Sequence, residues 1–387
     1  MTAQPERTIP FGRPDITDED RAAVLEVLNG HILTHGPNCK SFETEFSEYV
    51  GGGYAVTVNS CMTALHLASW YFGLGEGDEV IVPAQSHVAT VSAVEIAGAT
   101  PVFVDCYLET GNMIPEQIAQ KITPRTKAIS VVHFNGIPAE MDAIVQIAKQ
   151  HNLILIEDCA LSLGATYKGT HVGLIGDVGC FSFYPAKHIT TGEGGMYLSK
   201  NETTATQSAH LRAHGVDRQH NERKIPGKYE VTVAGSNYRM SEMQAALGRS
   251  QLKRVDRFIA IREANFTRLK AGLFKGTTGL VILDAQSPDT KSSYYCLSVV
   301  LPDELRDQRD NIALALNAAG VGTSIYYPKP IPQFEYYQNK YGDTAGQYPN
   351  AERISYQSIA LPVGQHLNTE DMDYIADQFK RVLKEFV

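Results

Sequence analysis

Lys187 stands in the segment FSFYPAKHITTGEGGMYLS, residues 181 to 199, between an aromatic-rich apolar run and the glycine turn GEGG at 192 to 195. Most lysines are solvated surface charges. One confined beside a tight chain reversal can have a lowered pKa and can form an imine with a carbonyl. The segment IEDCALSLGA, residues 156 to 165, puts an acid at the end of an apolar run, followed by small residues. An unpaired buried carboxylate is costly, so that acid needs a partner. Taken alone, Glu157 or Asp158 reads as the cap of a following helix. The segment NSCMTALHLA, residues 59 to 68, passes from an apolar run straight into a helical pattern. Backbone N–H groups at such a helix start can cradle a phosphate, although an ordinary Ser60 cap explains the motif equally well.

In this order the three segments say more than any one of them. A phosphate cradle, an acid able to pair with a pyridinium nitrogen and an imine-forming lysine are the parts of a pyridoxal phosphate (PLP) site. Ser182, on the run before Lys187, adds a hydroxyl to the same place. The acid would keep the ring nitrogen protonated, while the lysine would hold the aldehyde and move protons.

These residues need a scaffold, and the pattern of apolar runs supplies one. YAVTVN, DEVIVP, ATPVFVD, AISVVHF, LILIEDC, CFSFY and GGMYLS read as buried strands. ATVSAVEIAGA and MDAIVQIAKQH, lying between them, have the spacing of amphipathic helices. Strands alternating with helices predict an α/β fold with a mostly parallel sheet, whose ligands sit beyond the carboxyl ends of the strands. Residues 17 to 29 predict an earlier helix behind Thr17. The alternation stops near residue 200. A long helical stretch at 239 to 275, the strand-like YYCLSVVL, a helix around DQRDNIALALNAAG and a last helix from Thr369 to Phe386 predict a smaller α+β unit. Residues 327 to 350, rich in Tyr, Pro, Gln and Asn, predict loop.

Composition limits the partners. The 387 residues carry a net charge of −9, a poor balance for general binding of nucleic acid or anionic membrane. No apolar run approaches the length of a membrane span, and MTAQPERTIPFGRP has no signal-peptide core, so a cytoplasmic protein is expected. The six cysteines form no CxxC pair, which predicts reduced thiols and no metal site.

The chain resembles the sugar aminotransferases of the DegT/DnrJ/EryC1/StrS family. The segments that carry the resemblance run through nearly the whole sequence: IPFGRPDITDED, ILTHGP, GDEVIVPAQSHVAT, GATPVFVD, ITPRTKAISVVH, IEDCALSLGATYKG, GDVGCFSFYPAKHITTGEGGMYLS, NYRMSEMQAALGRSQL and SIALPV. The resemblance implies a fold-type I PLP-dependent aminotransferase with a seven-stranded sheet. It places a large cofactor-binding domain at 1–250 and a small domain at 251–387. It makes Lys187 the lysine that carries the cofactor and Asp158 the partner of the ring nitrogen. Ser182 and the backbone of Cys61 and Met62 would hold the phosphate. His87 would stack on the ring where relatives usually have an aromatic residue. Asn237 would reach the phosphate from a neighbouring subunit, which implies a homodimer. Thr34 and His188 would border the substrate.

The implied reaction transfers an amino group from L-glutamate to a ketone of a nucleotide-linked sugar. ILTHGP resembles the form found in relatives that aminate C4, with C3 amination as the alternative. A non-catalytic PLP-binding regulator and another PLP reaction on the same fold also stand as alternatives. A related subgroup with His in place of the lysine performs dehydration, which Lys187 argues against. Three departures from the family pattern stand out. The usual Ser-Gly-Thr turn reads Ser60-Cys61-Met62, which displaces a hydroxyl to Thr63 or loses it. Leu161 replaces a frequent Gln, and Pro332 replaces a frequent His.

Overall fold

A computed structural model describes residues 7–216, 225, 228–274 and 279–387. Two helices lead in, α1 (Asp18–Asn29) and α2 (Pro37–Val50). Thr17 caps α1 in a reciprocal capping box with Asp20, and three acids occupy its first turn, where the helix dipole favours them. Strands and helices then alternate as β1 (Tyr54–Val58), α3 (Cys61–Tyr71), β2 (Glu79–Pro83), α4 (Val88–Ile96), β3 (Thr100–Val104), α5 (Pro115–Lys121), β4 (Thr126–Val132), α6 (Met141–His151) and β5 (Ile154–Asp158). Two short strands, β6 (Thr166–Tyr167) and β7 (Thr170–His171), pair as a hairpin. β8 (Val178–Ser182), β9 (Gly195–Ser199) and α7 (Glu202–Leu211) complete this part.

The large sheet has the order β1-β9-β8-β5-β4-β2-β3. Its seven strands are the seven apolar runs of the sequence. All lie parallel except β9, which runs antiparallel to both neighbours. Helices cover both faces, so the strands carry Val, Ile and Leu almost without alternation. The carboxyl ends of β1, β5 and β8 and the start of β9 therefore meet at one edge.

The rest of the chain starts with α8 (Glu242–Leu252) and α9 (Val255–Phe274). The single long helix predicted at 239–275 is thus two helices, with residue 275 outside the described residues. A turn at Lys253 and Arg254 separates them, and Arg254 ties it to Asp20 at 2.7 Å. The break has a packing reason: α8 lies on α1 and α2, whereas α9 lies on the last helix. Next come β10 (Val281–Ile282), β11 (Thr290–Lys291), β12 (Leu297–Val300), α10 (Arg309–Ala318), α11 (Glu335–Tyr341), α12 (Pro349–Gln357), β13 (Ser358–Leu361) and α13 (Thr369–Leu383). β10, β12 and β13 form a small antiparallel sheet. Its core joins Leu297, Val299 and Ile359 to Phe266, Leu269, Ile375 and Phe379 of α9 and α13. The loop predicted at 327–350 contains α11 and the start of α12; α11 packs Tyr337 against Phe103 of β3 and ties Lys340 and Tyr341 to Glu95 of α4.

Candidate active site

The β1–α3 turn comes first. Ser60 caps α3, its Oγ accepting from Thr63 N–H at 3.2 Å, and Thr63 Oγ1 accepts from Ser60 N–H at 3.1 Å. Thr63 also reaches Asn59 Oδ1 at 2.8 Å, so its hydroxyl is taken up by the cap and is not displaced toward a ligand. The N–H groups of Cys61 and Met62 open the helix and have no helical acceptor. β9 passes very close to this turn. A Cβ on Gly195 would lie 2.5 Å from the Ser60 carbonyl carbon and 2.7 Å from Cys61 N, so only glycine fits there. Ser182, at the end of β8, pairs with Gly195 across the sheet and accepts from Tyr184 N–H at 3.4 Å.

The adjacent acids Glu157 and Asp158 point to opposite faces of β5, as period-two geometry requires. Glu157 is fully buried. It accepts from the backbone N–H of Gly173, Ile175 and Gly176 at 2.8, 2.9 and 2.6 Å, and bonds His133 Nε2 at 3.0 Å. His133 Nδ1 accepts from Ala139 N–H at 3.1 Å, which makes Nε2 the protonated nitrogen. His133, Glu157 and Cys159 bring ligand-type atoms within 4.8 Å of one another, but both nitrogens of His133 are already engaged. Burial pushes the Glu157 carboxyl up; these donors outweigh it and hold the group below its ordinary 4.5. The stabilisation is therefore complete above that value and lost as pH falls through the lower folded one. Replacing Glu157 with Gln turns an amide N–H toward donors, and is expected to lower unfolding stability by about 3 kcal/mol or more. A urea midpoint equal to that of the parent would contradict this.

Asp158 faces the cleft. Thr90 Oγ1 donates to its Oδ2 at 2.8 Å, Ala160 N–H to its Oδ1 at 3.1 Å, and the Cys61 thiol lies 3.9 Å from Oδ1. Lys187 sits on a turn closed by its N–H to the Tyr184 carbonyl at 2.9 Å. Its stem is half-buried and its Nζ lies 5.3 Å from the centroid of the Tyr295 ring. Burial pushes the amine below its ordinary 10.5, against the pull of Cys61, Asp158 and Cys296. A lowered lysine holds more of its neutral, nucleophilic form. The Tyr295 hydroxyl in turn shares a hydrogen bond of 2.9 Å with that of Tyr326. Thr90, Tyr295 and Tyr326 are site residues that the sequence did not mark, because they are common residue types with no distinctive spacing around them.

His87 caps α4, its Nδ1 accepting from Ala89 N–H at 3.1 Å, and meets Tyr327 edge-on at 5.4 Å. One edge is open to solvent; burial, then the charge of Lys187, lowers its pKa. His188 does not reach the cleft. It is buried with Nε2 on the Ser293 carbonyl at 2.9 Å and its ring against Tyr295, so the expectation of substrate contact gives way to support of the lysine turn. Thr34 is exposed on the loop between α1 and α2. That loop is fixed by Glu242, whose carboxylate accepts from Gly36, Asn38 and Cys39 N–H at 3.0, 2.7 and 3.1 Å. Asn237 is exposed between Ser236 and Tyr238, whose backbones are tied to Leu211 and Asn59. Leu161 is buried beside Tyr295 and Cys296, and Pro332 is buried in a short helical turn, so neither replaces the polar group of the family pattern. All six cysteines are free and five are buried.

A helix start with free amides, a buried carboxylate that joins no ion pair among the described residues, and an amine of lowered pKa fit a phosphate, a pyridinium nitrogen and an aldehyde in turn. The sheet and the site together define a PLP-dependent aminotransferase of fold type I. The chain belongs to the DegT/DnrJ/EryC1/StrS aminotransferase family, whose profile matches residues 14–380. It is 36% identical over 373 residues to GDP-perosamine synthase of Escherichia coli O157:H7, covering 95% of this chain and 97% of that one. It is also 36% identical over 356 residues to dTDP-3-amino-3,4,6-trideoxy-alpha-D-glucose transaminase of Streptomyces venezuelae, covering 91% and 89%. Spr1654 of Streptococcus pneumoniae, assigned as a sugar aminotransferase and solved in its PLP form, superposes with a TM-score of 0.91 at 30% identity, covering 98% of this chain and 100% of that one. Among the described residues no helix is long and apolar enough to cross a membrane.

Proposed function

We propose that this chain transfers an amino group from glutamate to the C4 ketone of a nucleotide-linked keto-deoxy sugar, in the cytoplasm, for amino-sugar biosynthesis. The observation that carries the reading is the convergence of Lys187, Asp158 and the Cys61–Met62 amides at one edge of the sheet. When bound, PLP supplies the electron sink that lets the amino group pass between two substrates. Lys187 holds the aldehyde, takes a proton from the α-carbon of the donor and later returns one to the sugar carbon. Asp158 keeps the ring nitrogen protonated. The Cys61 and Met62 amides and the Ser182 hydroxyl hold the phosphate, and His87 offers its ring to the face of the cofactor. Residues 1–250 would form the cofactor-binding unit and 251–387 the smaller one, with the boundary in the last turn of α8, the helix that packs on α1 and α2. Asn237 completes the phosphate site of a second copy, and exposed Ile225, Val231 and Val233 on the same segment give that copy an apolar surface to cover.

The stacking role of His87 separates two variants. Both lose the α4 cap, but His87→Phe keeps a flat ring and is expected to bind PLP within about threefold of the parent, whereas His87→Ala weakens binding about tenfold. Equal behaviour of the two in equilibrium dialysis would remove the stacking role.

The position of amination is read from the loop that carries Thr34. C4 and C3 ketones are the same electrophile, so selection comes from how the pyranose enters and which hydroxyls are bonded. A loop held by a buried carboxylate, with Thr34 at its exposed tip, suits that task. The relative named for a 3-amino sugar favours the alternative of C3 amination. Incubating the enzyme with glutamate and matched 4-keto and 3-keto nucleotide sugars, then locating the new C–N bond by NMR, tests this. Nitrogen at C4 is the expected product; nitrogen only at C3 overturns the C4 reading and leaves the cofactor chemistry intact.

A further inference from the structure

The start of α4 brings two hydroxyls together, one just before the His87 cap and one in the first turn. Ser86 and Thr90, four residues apart, are 2% and 1% exposed, and their oxygens lie 2.8 Å from each other. A helical threonine often donates back to the carbonyl four residues earlier. Thr90 instead donates across the cleft, to Asp158 Oδ2 at 2.8 Å, which leaves its oxygen to accept from Ser86. Among the described residues the other side-chain hydrogen-bond donor to Asp158 is the Cys61 thiol at 3.9 Å, a weak one. The backbone N–H of Ala160 holds the other carboxylate oxygen.

We infer that Thr90, backed by Ser86, is the positioning residue that fixes the Asp158 carboxylate for the ring nitrogen of the cofactor. The inference rests on the reading of Asp158 given above. His87 lies in the same helical turn, so one structural unit sets both the ring-facing residue and the acid. With one oxygen held by Thr90 and the other by Ala160, the carboxylate keeps one orientation before any ligand arrives, and the ordering cost does not fall on binding.

The test is PLP affinity by equilibrium dialysis. Thr90→Val, which keeps the shape and loses the hydroxyl, is expected to weaken binding about tenfold or more, the value of a hydrogen bond to a charged group. Thr90→Ser is expected to stay within about threefold, and Ser86→Ala to fall between. In an Asp158→Ala background, Thr90→Val should add less than about twofold, because its partner is gone. Melting of the cofactor-free variants checks that each is folded. A packing role predicts the reverse order, with valine silent and serine impaired, and that result overturns the inference. So does a full Thr90→Val effect without Asp158. Asp158→Ala binding PLP like the parent would instead overturn the reading of Asp158 itself.

Discussion

Replacing Lys187 with Ala is expected to abolish both half-reactions, lowering turnover by more than about a thousandfold. A proton carrier alone is worth about a hundredfold to ten-thousandfold, and Lys187 is also the group that holds the aldehyde. Its neighbours explain why no other lysine can substitute. The turn closed on Tyr184 fixes the backbone, and the Tyr295 ring lies under the amine. Burial pushes the amine toward its neutral form, the state that attacks a carbonyl and accepts a proton. Rapid mixing of PLP-loaded Lys187→Ala with glutamate alone, and of its amine-loaded form with keto sugar alone, separates the two halves. Small primary amines should restore a fraction of each. Loss of one half with the other intact would divide the roles assigned to this single residue.

The second large effect concerns Asp158. An Asp158→Asn amide cannot balance a protonated ring nitrogen, so turnover is expected to fall about a hundredfold to a thousandfold and PLP affinity about tenfold. The comparison with Glu157→Gln makes this sharp. The two acids are neighbours in sequence on opposite faces of β5, one bound by three backbone N–H groups and a histidine, the other by a hydroxyl, an amide and a thiol. The first change should cost stability and leave the turnover of folded enzyme nearly intact. The second should do the opposite. Turnover at saturating PLP, read beside urea melts of both proteins, checks the pair. Loss of turnover in folded Glu157→Gln with Asp158→Asn near the parent would reverse the assignment.

Much of the fold was legible because buried parallel strands write themselves as continuous apolar runs. Each of the seven runs became a strand of the large sheet, and MDAIVQIAKQH became α6 residue for residue. The helix Glu335–Tyr341 was hidden because its tyrosines, Gln and Asn resemble loop composition, whereas its contacts with β3 and with Glu95 of α4 are made by segments distant in sequence. The break at Lys253 was hidden because helical spacing continues across it, while its cause lies in packing against separate layers. Within the site, spacing marked a lysine, an acid and a helix start, since glycines and strand ends flank them. It did not mark Thr90 or Tyr295, which are common residue types delivered by segments distant in sequence. His188 illustrates the converse: adjacency to Lys187 in the chain suggested the cleft, and the turn sent it into the core.

The central claim is that Lys187 carries the cofactor of this family in this chain. Borohydride reduction of the purified, yellow PLP enzyme, followed by peptide mapping, tests it most directly. The account predicts a single phosphopyridoxyl adduct on the peptide containing Lys187. An adduct on any other lysine would contradict it.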